Sequence, residues 1–132
     1  MMRKRVPDSA KVKSLILASE AEMAYIDTLE PSQEAASTII RGIYENFRRL
    51  GEALLLNKGL EGDHEESMKI LTSLPVNTSR PIQVLDNLRR LRHDINYQGY
   101  LPSQADLNDV LSIKQACWNP ILNEIRRQIT LK

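Results

Sequence analysis

The sequence predicts an all-α fold, an up-and-down bundle of four or five helices forming one domain over residues 1–132, and three observations predict it. Apolar residues recur at steps of three and four along most of the chain, with no convincing stretch of the two-residue alternation that half-buried strands need. Glycine and proline punctuate these periodic stretches at intervals. The 132 residues, 42% hydrophobic and 27% charged, suit a single buried core and lie far from the composition of disordered chains.

The basic start, Arg3-Lys4-Arg5, leads to Pro7 and Asp8 and is expected to be a flexible charged terminus over residues 1–7. A first helix is expected from an Asp8 or Ser9 cap to about Leu29, with Val12, Leu15, Ile16, Ala18, Met23 and Ile26 as its apolar stripe. Pro31 separates it from a longer helix that opens near Ser32, carries Ile39, Ile40, Ile43, Tyr44, Phe47, Leu50, Ala53 and Leu54, and stops at Gly59. Tyr44 and Phe47 read as core or dimer-interface residues.

Asp63 can cap a short helix through Met68, Ile70 and Leu71, closed by Pro75. Ser79 is expected to cap a fourth helix with Pro81 in its first turn, running to Tyr97 and stopped by Gly99. After a loop to Ser103, Leu107, Val110, Leu111, Ala116, Trp118, Ile121, Leu122, Ile125 and Ile129 mark a last helix, which Pro120 is expected to bend one turn earlier.

Charge and cysteine content narrow the function. Eighteen basic against seventeen acidic residues leave a formal charge of +1, so any basic site must be local. A lone cysteine, Cys117, points to a reducing compartment, and the absence of a long apolar run or an apolar leader points to a soluble cytoplasmic protein without a membrane partner. No glycine-rich phosphate loop, catalytic carboxylate pair or Cys-His ligand set occurs, so no cofactor and no metal is expected. The run of His64 with Asp63, Glu65 and Glu66 looks like a metal cluster only superficially: adjacent residues at a helix start point apart, and the acids favour the positive end of the dipole.

The chemistry gathers on the fourth helix. Val84, Leu88, Leu91 and Ile95 form one apolar strip, and Arg89, Arg92, His93 and Asn96 project on a flank beside it, separated by three, four or seven positions. Guanidinium groups offer paired donors to a phosphate or carboxylate, and an imidazole can take or give a proton near neutrality. The same arginines also complement the negative end of the helix dipole, and Asp94 can pair with Arg90, so a plain solvated surface remains an alternative.

Two stretches resemble the HEPN (higher eukaryotes and prokaryotes nucleotide-binding) superfamily. Arg41-Gly42-Ile43-Tyr44-Glu45-Asn46-Phe47 followed by Gly51 to Leu60 is similar to the family's long central helix, and His64 falls in the next turn, where relatives often have a histidine. Leu88-Arg89-Arg90-Leu91-Arg92-His93-Asp94-Ile95-Asn96-Tyr97 is similar to its motif helix, which closes on an arginine, a polar residue and a terminal histidine or tyrosine. The resemblance implies a HEPN-like bundle that interacts with RNA or a nucleotide, a homodimer in which two motif helices meet, and a toxin–antitoxin type pair with a minimal nucleotidyltransferase.

The chain departs from active relatives, because Tyr97 stands where their base, a histidine, follows the motif arginine. Arg89 has His93 only one turn on, too close to restore the pattern. A phenol is a poor general base at neutral pH, though it can bind phosphate or stack on a base. The expectation is therefore a nucleotide- or RNA-binding module with weakened or absent RNase activity, Arg89, Arg92 and Asn96 binding and Arg92, His93 and Tyr97 forming whatever catalytic centre survives. An active metal-independent endoribonuclease and a purely structural helical interaction domain are the alternatives.

Overall fold

The computed structural model describes residues 2–130, and among these five α-helices share one hydrophobic core. Helix α1 (Ser9–Ile26) is capped by Asp8, whose carboxylate accepts the Lys11 N–H at 3.0 Å. Its buried positions, Val12, Ile16, Ser19, Met23 and Ile26, step by four and three. Ala18 is a position off that stripe and faces out; Ser19 takes the inner place by donating its hydroxyl to the Leu15 carbonyl at 2.8 Å. The helix ends three residues before Leu29, where three-residue turns through Thr28 and Leu29 tighten the chain.

Helix α2 (Ala36–Asn57) lies at the centre and packs against every other helix. It starts one turn later than Ser32, because Ser32 spends its carbonyl and hydroxyl on the Ala35 N–H in a separate turn. Gly59 closes α2 as expected, at φ +75°, a left-handed conformation that glycine adopts without steric cost.

The basic start pairs with the chain that leaves α2. Arg3–Lys4 (β1) pairs antiparallel with Leu60–Glu61 (β2), Arg5 donates its N–H to Gly59 at 2.9 Å, and Arg3 and Arg5 both reach Glu61. A two-residue ribbon is too short to show any alternation, so the reading without strands missed it.

Helix α3 (His64–Leu71) begins at a reciprocal cap: Asp63 accepts the Glu66 N–H at 2.8 Å and Glu66 accepts the Asp63 N–H at 3.0 Å. Helix α4 spans Leu85–Tyr97, shorter than expected. Ser79 does not cap it; Pro81 is extended (ψ 135°), and Ile82–Val84 form a 3₁₀ turn before α4 opens. Arg80 pins this approach to α5 (Gln104–Thr130) through Asp109 at 2.8 Å. Gly99, at φ +65°, ends α4. Ser103 caps α5 by accepting the Asp106 N–H at 3.1 Å, and α5 continues through Pro120 as one helix. No helix among the described residues is long and apolar enough to cross a membrane.

Candidate functional site: a cleft between helices α3 and α4

Leu85, Leu88 and Ile95 of α4 are buried and Leu91 is partly buried, which fixes the rotation of the helix. Helical geometry then places Arg89, Arg92, His93 and Tyr97 on the side that faces α3. An open cleft of about 530 Å³ lies there, with the Asp63–Glu65 segment on its far wall and Tyr44 of α2 inside it.

Tyr44 organises the cleft. It is only 2% exposed, yet its hydroxyl makes no hydrogen bond with a described residue and is not sealed from the cleft. Burial raises its pKa above the ordinary value against the lowering effect of Arg92, so the phenol stays protonated and can donate. The Arg92 guanidinium carbon stands 4.9 Å from the Tyr44 ring centre and 5.9 Å from that of Tyr97. Cation–π attraction thus holds the group at the cleft without using its N–H donors.

Arg92 differs from the other arginines. Every other one among the described residues pairs with a carboxylate or, for Arg41, donates to the Asn96 side chain. Arg92 makes neither an ion pair nor a hydrogen bond with a described residue, so its donors are available.

The other residues singled out on α4 are placed unequally. Arg89 lines the cleft, but Asp86 holds its Nε at 3.0 Å. His93 and Tyr97 meet at the mouth with ring centres 4.8 Å apart, Tyr97 65% exposed. Asn96 does not line the cleft; its side-chain oxygen accepts Arg41 Nε at 2.8 Å.

His64, the first residue of α3, also lines the cleft. Its ring centre is 6.4 Å from that of Tyr44 at a tilt of 52°, and its imidazole makes no hydrogen bond with a described residue. Partial loss of water, then the charges of Arg48 and Arg92, lower its pKa from the ordinary 6.5, while Glu45 and Asp63 act weakly the other way. The lowering favours the neutral imidazole near pH 7. Behind it, burial works to raise the Glu45 carboxyl, but the Arg48 bonds at 2.6 and 3.1 Å hold it below its usual range. Arg48 also binds Glu52 at 2.8 Å, so this inner guanidinium is already satisfied.

Tyr44 escapes a sequence reading because it sits in an apolar stripe and looks like core, which it also is. The place of His64 in the cleft escapes because its neighbours are acidic and its approach to α4 is a long-range contact; the signals were its position just after a capping aspartate and in the turn where the resembled family often has a histidine. No family model, curated protein or solved structure matches the chain.

Proposed function

We propose that the chain is a HEPN-like protein whose α3–α4 cleft binds RNA or a nucleotide through a phosphate held by Arg92. The observation that carries this reading is the availability of the Arg92 guanidinium beside the unbonded Tyr44 hydroxyl. A guanidinium that only complemented the helix dipole would not need a buried tyrosine as its seat, whereas two donors facing one open cleft match the oxygens of a phosphate. Tyr97 and His93 at the mouth supply rings on which an unpaired base can stack.

The test is a titration of labelled single-stranded RNA followed by fluorescence anisotropy at two salt concentrations. Wild type should bind, more weakly at the higher salt because phosphate contacts release counterions. Arg92→Ala should weaken binding by about 10-fold or more, the value of one charge-assisted bond, and Arg90→Ala, already paired with Asp86 in the open, should change little. Equal binding by Arg92→Ala and wild type would remove the reading.

A second reading, the partner of a minimal nucleotidyltransferase, is favoured by the exposed edge of Tyr97, Tyr100 and Leu101 next to the cleft. Here Tyr97 is a docking or modification site. Co-purification with such an enzyme that is lost on Tyr97→Ala supports it, and a solution mass of one chain counts against the homodimer that the resemblance implies.

A further inference from the structure

The geometry points to His64 as the general base of a phosphodiester cleavage in this cleft, filling from α3 a role for which α4 offers His93 and Tyr97 at the mouth. The inference rests on the RNA-binding reading above and adds a reaction to it. His64 and Arg92 come from different helices and meet over one ring: the imidazole centre is 6.4 Å, and the guanidinium carbon 4.9 Å, from the centre of Tyr44. The reciprocal Asp63–Glu66 cap fixes the backbone on which His64 stands. Tyr44 itself, almost wholly buried with an unbonded hydroxyl at the cleft, marks the point between them where a polar ligand is wanted.

A base and a cation need a nucleophile, and a ribose carries one in its 2′-hydroxyl. One nitrogen of the neutral His64 ring takes the 2′-hydroxyl proton as the O2′–P bond forms. The P–O5′ bond breaks with its electron pair going to the 5′-oxygen, which takes a proton from water. Arg92 and the Tyr44 hydroxyl face the non-bridging oxygens, where negative charge builds. The products are a 2′,3′-cyclic phosphate and a 5′-hydroxyl end, and the imidazolium returns its proton to solvent. His93 pairs its ring with that of Tyr97, centres 4.8 Å apart, whereas His64 and Arg92 share the ring of Tyr44.

The experiment incubates wild type, His64→Ala and His64→Gln with a labelled RNA oligomer and its all-DNA counterpart, with chelator present, and measures binding and cleavage on the same samples. Wild type should cut RNA to cyclic-phosphate products and leave DNA intact. Both variants should bind RNA like wild type yet cut it about 10²- to 10⁴-fold more slowly, the usual loss when a general base is removed. Added imidazole should restore part of the rate in His64→Ala and not in wild type, which a merely structural histidine would not produce. If His64→Ala loses its helical circular dichroism, His64→Gln decides. Cleavage by the variants at the wild-type rate, or RNA binding by wild type without cleavage, overturns the assignment of His64 and leaves the binding reading standing; no binding by wild type overturns both.

Discussion

The backbones of Gly51 in α2 and Ser67 in α3 touch so closely that a Cβ added at Gly51 would stand 1.8 Å from the Ser67 carbonyl oxygen. Helix α3 can lie against α2, and bring His64 over Tyr44, only because residue 51 has no side chain.

Gly51→Ala should therefore be destabilising by about 1–3 kcal/mol or more, since the obstacle is backbone and cannot rotate away. Gly42→Ala, whose Cβ would meet the flexible end of Ile26 at 2.5 Å, should cost less. Thermal denaturation of the two variants checks this; equal losses would mean that α3 is free to move out.

Tyr44→Phe separates the two roles of that residue. The ring and its packing stay, and the hydroxyl makes no hydrogen bond with a described residue that would be lost, so the melting temperature should remain near that of wild type. RNA affinity should fall by about 10-fold, the value of a hydrogen bond to a charged group. A variant that melts lower but binds normally would place the hydroxyl in the fold rather than the site.

Much of this architecture was legible residue by residue. Asp8, Asp63, Gly59 and Gly99 mark helix ends because capping and left-handed backbone are local chemistry. Leu88 and Ile95 give away the inner face of α4 for the same reason, and with it the outward direction of Arg92. Ser32 and Ser79 misled because a serine can close a turn as readily as it opens a helix, and neither sequence position says which competing bond wins. The α3–α4 cleft was half legible: its α4 wall follows from helical periodicity, whereas His64 and Tyr44 join it through packing that only Gly51 permits.

The rotation of α4 has a direct test. Leu88 is completely buried and Leu91 only partly, so Leu88→Ala should cost about 2–5 kcal/mol and Leu91→Ala distinctly less. Midpoints of urea unfolding compare them. The reverse order would turn α4 by about a sixth of a turn, the angle between Leu88 and Leu91, and swing Arg92 away from its present place in the cleft.

Acid should destabilise the protein in two separable stages. The folded state holds His64 below its ordinary 6.5, chiefly by partial loss of water and then by Arg48 and Arg92, so the unfolded chain takes this proton first. Stability must then fall as the pH drops from neutrality through 6.5 towards the folded value, and level off below it. Glu45 is held below its ordinary 4.5 although burial opposes this, because Arg48 bonds the carboxylate. Its contribution is complete above 4.5 and is lost as the pH falls through the folded value. Melting temperatures between pH 7.5 and 3 should show both stages, the first abolished in His64→Gln and the second reduced in Glu45→Gln. If the His64→Gln curve runs parallel to that of wild type from neutrality to below 6.5, neither loss of water nor the two arginines lowers the imidazole, and the electrostatic case for a neutral histidine in the cleft is lost.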